Sequence, residues 1–268
     1  MDRKKITLPI IMKMYEAGER IAMLTAYDYP SAAIADASGV EIILVGDSLG
    51  MVVNGYKNTL PVTVDEVIYH TRAVVKAVEY SFVIADMPFL SYQTGIRDAV
   101  YNAGRLLKEG GAEAVKLEGG TNMTDVIKAI VNADIPVMGH IGLTPQSIHR
   151  MGGYRVQGRD ERSHNALIRD AIAVEEAGAF AIVLEGIPAT LGKEITSKLH
   201  IPTIGIGAGK DVNGQVLVFH DLLGLGTNKQ PTFVKQYAQL RDLAIDAIKN
   251  YVEDVKTGRF PAEEHTYK

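Results

Sequence analysis

Eight short apolar runs, most of them separated from the next by a polar segment of helix length, constrain this chain more than any other feature. They fall at residues 21–27, 41–47, 82–88, 114–120, 136–142, 181–187, 202–209 and 215–221. The runs are rich in Val and Ile and close on polar or glycine-containing residues. Near-continuous apolar runs of this length suit strands buried on both faces, as in parallel sheets. The segments between them carry helix signals. Thr63-Val64-Asp65-Glu66 is a capping-box pattern, and over residues 65–80 it is followed by Val67, Ile68, Val74, Val75 and Val78 at helical spacing. Residues 160–177 stop at Gly178, a residue suited to the position just past a helix end. Further on, Phe233, Tyr237, Leu240, Ala244, Ile248 and Tyr251 recur at three- and four-residue steps, which predicts an amphipathic helix of about five turns. Eight units over 268 residues average about 33 residues each, the size of a βαβ repeat. The expected fold is therefore α/β: a single (β/α)8 TIM barrel over residues 1–268, with an N-terminal helix and a long C-terminal helix. One connection is longer than the rest. Residues 143–159, after the fifth run, form an excursion of roughly 17 residues, expected to be a lid or an interface segment.

Composition narrows the class of function. A net charge of −4, no Trp and no cluster of Lys and Arg among aromatics argue against a nucleic-acid-binding face. The absence of Cys excludes disulfides, thiolate metal sites and a Cys nucleophile, and suits a reducing compartment. The basic start MDRKK leads into apolar residues, but Lys13 interrupts them and no small-residue cleavage site follows. An amphipathic opening helix is expected there, not a signal peptide. No stretch reaches the ~18 apolar residues of a membrane span. A cytoplasmic protein with no membrane or nucleic-acid partner is expected.

Parallel barrels carry their active sites where the strands end. The run ends here are Gly46-Asp47-Ser48, Asp86-Met87-Pro88, Lys116-Leu117-Glu118-Gly119-Gly120, Gly139-His140 and Leu184-Glu185-Gly186. Side chains alternate along a strand, so Lys116 and Glu118 share a face. If that face is the interior, Asp47, Asp86 and Glu118 converge from three consecutive strands, and their mutual repulsion requires a retained proton or a cation. Oxygen-only ligands favour Mg²⁺. Each acid taken singly has a plainer explanation as a helix cap or an ion-pair partner; three at consecutive strand ends favour the metal. Lys116 either attracts a substrate carboxylate or enolate, or pairs with Glu118. Ser48 is a donor to an anionic substrate or a turn residue, and His140 a polar group against substrate or a satisfied core histidine. Glu185 closes the run Ala-Ile-Val-Leu, so it sits at the edge of an apolar strand where a carboxylate can act in proton transfer; a helix-N-terminal acid is the alternative. The run Gly205-Ile-Gly207-Ala-Gly209-Lys210 matches neither common phosphate-loop pattern, and a phosphate site and close backbone approach both remain open.

Ten ordered motifs then identify a resemblance: MLTAYDYPSA, VGDSLGMVVNGY, TLPVT, ADMPF, VKLEGG, VMGHIGLTPQS, GGYRVQGR, LEGIP, TIGIGAG and VFHDLLG. Over nearly its whole length the chain resembles the ketopantoate hydroxymethyltransferase family, with no departure at a functional position. The resemblance implies a (β/α)8 barrel that moves a hydroxymethyl group from 5,10-methylenetetrahydrofolate to 3-methyl-2-oxobutanoate. The product is 2-dehydropantoate, the first step toward pantothenate and coenzyme A. It implies Mg²⁺ held by Asp47, Asp86 and Glu118, oxo-acid contacts from Asp47, Ser48, Asp86 and Lys116, and Glu185 as proton acceptor. His140 joins the substrate-binding set on its strand-end position. The resemblance also implies a homodecamer of two five-membered rings, for which residues 143–159 and 260–268 are candidate contact elements. A second reading is a metal-dependent lyase or mutase of the isocitrate lyase and phosphoenolpyruvate mutase kind. The lyases of that kind rely on a cysteine, which this chain lacks.

Overall fold

Residues 3–226 and 230–268 are described here by a computed structural model. Eight parallel strands close into a barrel in chain order, β8 pairing back onto β1. They are β1 Ile21–Thr25, β2 Ile42–Val45, β3 Phe82–Asp86, β4 Ala114–Glu118, β5 Val137–Gly142, β6 Ala181–Glu185, β7 Thr203–Ile206 and β8 Gly214–Leu217. Every expected run supplies one strand, and the barrel is the one the alternation called for. The strands are shorter than the runs because the last residues of most runs leave the ladder at the barrel mouth.

The interior follows from side-chain alternation. Ile21 and Met23 of β1, Ile42 and Leu44 of β2, Phe82 and Ile84 of β3, Ala114 of β4, Met138 of β5, Ala181 and Val183 of β6, Ile204 of β7 and Val216 of β8 form one buried cluster. The opposite faces carry Ile43, Val45, Val83, Ala85, Val115, Leu117, Ile182 and Leu184, all buried as well. A strand covered on both faces in this way has no polar face to offer solvent, hence the uninterrupted apolar runs. The expected opening helix is Leu8–Glu16, and its Ile11 joins the interior cluster, with Ile6 and Leu8 packed against it.

Local signals set the helix ends. The capping box at Thr63 is present: Thr63 Oγ1 accepts from Glu66 N–H at 3.2 Å and Glu66 Oε2 accepts from Thr63 N–H at 2.7 Å, opening the helix Val64–Ala77. Asp160 caps the helix Glu161–Glu176 by accepting from Ser163 N–H at 2.9 Å, and beyond that helix Gly178 takes φ +98°. The 143–159 excursion is partly ordered by a 3-10 turn, Pro145–Ser147, and a short helix, Ile148–Met151.

The described residues divide into two compact units, Met1–Phe219 and His220–Lys268. The barrel lies in the first. The second contains the helix Leu240–Thr257, which starts later than the spacing predicts. Phe233 and Tyr237 precede it, because Tyr237, Leu240 and Arg241 donate their N–H groups to the carbonyls of Leu222, Leu223 and Gly224, and a helix cannot form through groups already engaged this way. None of the helix residues is buried, and Leu243, Ile248, Tyr251, Val252 and Val255 are exposed. Among the described residues no helix is long and apolar enough to cross a membrane.

Asp36 is a structural tie. It lies on the helix Tyr29–Ser38, and its carboxylate accepts from the N–H groups of Glu79, Tyr80 and Ser81 at 3.0, 3.2 and 2.7 Å and from the Ser81 hydroxyl at 2.7 Å. Burial alone would raise its carboxyl, but these donors hold it below the usual range. Asp36→Asn is expected to cost about 2–4 kcal/mol in urea unfolding at pH 7. Because the folded carboxyl is held low, its contribution is complete above the unfolded value of about 3.9. The gap between wild type and variant should therefore narrow as pH falls below about 4.

Candidate active site

The alternation that places Phe82, Ile84, Ala114, Met138 and Val183 inside the barrel continues at the strand ends with different chemistry. Two residues beyond Ile84 comes Asp86; beyond Ala114 come Lys116 and then Glu118; beyond Met138 comes His140; beyond Val183 comes Glu185. Strand register brings them side by side, with Asp86 opposite Lys116 and Glu118 opposite His140. Asp47 arrives from just beyond β2. The inward position before it is Gly46, where a Cβ would lie 2.9 Å from Ser48 Oγ and 3.5 Å from Asp86 Oδ2. The missing side chain keeps this corner open.

Asp47, Asp86, Lys116, Glu118 and His140 are all buried. Lys116 Nζ lies 2.7 Å from Asp86 Oδ1, so the lysine pairs with the neighbouring strand and not with Glu118, its neighbour on the same strand. Burial would lower the ammonium, but Asp86, Glu118 and Asp47 together raise it, and it stays charged. Asp47 is pushed up to about 7 by burial and by repulsion from Asp86, against the pull of Lys116 and a hydrogen bond from Gln146. Burial and the charges of Asp47 and Asp86 hold Glu118 well above the carboxylate range, against the attraction of Lys116. Burial and Lys116 lower His140, leaving a neutral imidazole. Its Nδ1 is 3.3 Å from Lys116 Nζ, which can only donate, so the ring proton belongs on Nε2, 3.2 Å from Glu185 Oε2. Glu185, its side chain 16% exposed, is the one acid of the group that solvent and a substrate can reach directly. Ser48 Oγ is 2.7 Å from the Tyr27 hydroxyl.

Two residues that organise this group were not singled out by sequence reasoning. Gln146 donates through Nε2 to Asp47 Oδ2 at 2.9 Å and to the Met87 carbonyl at 3.0 Å, and through its backbone N–H to Glu118 Oε2 at 3.0 Å. The buried Tyr92 hydroxyl accepts from Glu118 N–H at 3.1 Å and donates to Gln146 Oε1 at 2.7 Å. The one available signal for Gln146 was its position in the long excursion after β5. The 205–210 glycine run is accounted for by close approach: a Cβ at Gly209 would lie 2.5 Å from the Ala189 Cβ.

Among the described residues no three His, Cys, Asp or Glu side chains are gathered tightly enough to cage an ion. The donor set nonetheless suits a hard divalent cation. Its ligating atoms are carboxylate oxygens, two of the acids, Asp47 and Asp86, repel each other strongly enough to raise Asp47, and a cation would relieve that repulsion.

Known proteins resemble this chain along nearly its whole length. The sequence pattern of the family described as ketopantoate hydroxymethyltransferase matches residues 5–263. The 3-methyl-2-oxobutanoate hydroxymethyltransferase of Pelobacter propionicus is 59% identical over 265 residues, covering 99% of this chain and 98% of that protein. The protein of the same description from Geobacter metallireducens is 60% identical over 267 residues, with 100% of both chains covered. Among solved structures, a phosphonopyruvate hydrolase complexed with oxalate and Mg²⁺ superposes with a TM-score of 0.63 at 14% identity, over 96% of this chain and 92% of the other. A 2,3-dimethylmalate lyase of the PEP mutase/isocitrate lyase superfamily gives 0.61 at 18%, over 97% and 91%. These two likenesses concern the fold.

Replacing Gln146 tests the organisation of the buried acids. Gln146→Leu removes the donors to Asp47 and Met87 and is expected to cost about 1–3 kcal/mol in urea unfolding. Gln146→Glu adds a carboxylate against Asp47, so it should cost more, and more at pH 8 than at pH 5.

Proposed function

We propose that this chain, which belongs to the ketopantoate hydroxymethyltransferase family, transfers a hydroxymethyl group from 5,10-methylenetetrahydrofolate to 3-methyl-2-oxobutanoate, giving 2-dehydropantoate. The observation that carries this reading is one buried cation, Lys116, set among acids of graded accessibility at the mouth of a closed barrel. Asp47, Asp86 and Glu118 are the residues that would hold Mg²⁺. That ion uses one or two protein carboxylates directly and keeps several waters, so it needs no cage of three. When bound, it supplies Lewis-acid stabilisation of the enolate, worth several kcal/mol.

The chain's own residues do the rest. Asp47, Ser48, Asp86, Lys116 and His140 surround the volume that receives the oxo acid. Lys116 places a permanent positive charge where enolate charge develops, and in a buried site that charge acts strongly. Glu185 accepts the C3 proton; the electron pair of that C–H bond moves into the enolate, and C3 becomes the nucleophile toward the methylene carbon. Water supplies the hydroxyl oxygen to that carbon; both of its C–N bonds break, the electron pairs and the two water protons go to the nitrogens of the departing tetrahydrofolate, and the proton taken up by Glu185 ends on the new hydroxyl. His140 Nε2 lies 3.2 Å from Glu185 Oε2, so a neutral imidazole stands beside the base. The lyase or mutase reading shares the barrel, but the similarity near 60% lies with hydroxymethyltransferases and the chain has no cysteine.

A cytoplasmic setting suits a chain free of cysteine. Self-association suits the exposed apolar residues of the helix Leu240–Thr257. An oligomer, a decamer on the family pattern, is expected by light scattering at micromolar concentration, and a monomer would contradict it. Glu185→Gln should bind the oxo acid in the presence of Mg²⁺ with little change by calorimetry, while kcat falls about 10²- to 10⁴-fold. Unchanged turnover would remove Glu185 from its role. Excess chelator should abolish oxo-acid binding to the wild type, and retained binding would contradict the part given to the acids.

A further inference from the structure

Beside the axial site lies a second space. A cavity of about 480 Å³ opens between the ends of β4 and β5, the 143–159 excursion and the helix Glu161–Glu176. Its size falls within the range of about 300–1,000 Å³ that houses drug-sized ligands, far more than a five-carbon oxo acid fills. Its inner wall is Glu118 and Gln146, the two residues that also bound the acid group, so whatever fills it abuts the reacting centre. Phe89, Met123 and Met151 supply flat, adaptable apolar surface.

The cavity also has a polar end. Asp170 lines it, held so close to the backbone that a Cβ at Gly120 would lie 2.1 Å from its carboxyl carbon. Asp170 Oδ1 accepts from Thr121 N–H at 2.8 Å and from the Thr121 hydroxyl at 2.9 Å, and Oδ2 has no partner among the described residues. A clamped carboxylate with a free oxygen matches the N–H donors along the 2-amino-4-oxo edge of a pterin. Arg150, exposed at the rim, makes no ion pair among the described residues and suits the carboxylates of a glutamate tail.

We propose that this cavity is the seat of the reduced folate, with the pterin edge on Asp170, its ring between the apolar walls, its one-carbon end toward Glu118 and Gln146, and its glutamate tail at Arg150. The assignment rests on the hydroxymethyl transfer proposed above and adds the residues that recognise the donor.

The test is calorimetric titration of the full-length protein with tetrahydrofolate. Asp170→Asn keeps the side-chain shape, and Ala166→Phe, on the helix Glu161–Glu176, fills the cavity from a different position. Each should raise the Kd for tetrahydrofolate at least tenfold. In kinetics each should raise the KM for methylenetetrahydrofolate in step, while the KM for the oxo acid moves less than twofold. Arg150→Ala should weaken tetrahydrofolate but leave 6-methyltetrahydropterin, which has no tail, unaffected. An unchanged Kd in both Asp170→Asn and Ala166→Phe, with wild type turning over, would overturn the cavity assignment and leave the transfer reaction standing. Loss of tetrahydrofolate binding in both variants of a wild type that does not turn over the oxo acid would sink the reaction and keep the cavity. An equal effect of Arg150→Ala on both probes would overturn the placement of the tail.

Discussion

The structure turns on one electrostatic constraint: several carboxylates share the end of a closed barrel with a single buried ammonium. An isolated buried charge is prohibitively unfavourable, and a carboxylate cluster more so. Lys116 is tolerable because Asp86 lies 2.7 Å away, and Asp86 is tolerable because of Lys116. The remaining acids are not neutralised by this pair. Asp47 and Glu118 respond by rising, Asp47 to about 7, and both lean on donors from Gln146. Protein groups alone leave this charge distribution strained, and it is suited to a ligand that brings positive charge and takes up electron density.

The apolar floor makes the constraint matter. Beneath the acids, Leu44, Ile84, Ala114, Met138 and Val183 fill the barrel axis. With water excluded there and access confined to the mouth, charge on Lys116 and the acids acts at low effective dielectric, where preorganised groups contribute most to a developing enolate. Glu185, the reachable acid, stands one strand beyond His140 and two beyond Glu118. Proton acceptor and charge stabilisers are therefore separate residues with separate surroundings.

Much of this was legible in the residues. The eight runs, their alternation and the chemistry of their last residues led to the barrel and to Asp47, Asp86, Lys116, Glu118, His140 and Glu185, because period-two geometry converts sequence position into a face and a depth. Pairings across strands were not legible. Whether Lys116 meets Glu118 or Asp86 depends on register between β3 and β4, which neither strand encodes alone. Gln146 and Tyr92 were missed for a related reason: both reach the site from irregular connections, whose direction no periodicity predicts. The late start at Leu240 has the same origin, since backbone groups committed to Leu222–Gly224 override a spacing that looks helical.

The central claim is that Glu185 removes the C3 proton of an oxo acid held against Lys116 and the buried acids. It is tested most directly by NMR of 3-methyl-2-oxobutanoate in D₂O with the protein and Mg²⁺. Deuterium should enter at C3 with wild type, and its entry should slow about 10²-fold or more with Glu185→Gln. Exchange at C3 proceeding equally fast in the variant would contradict the account.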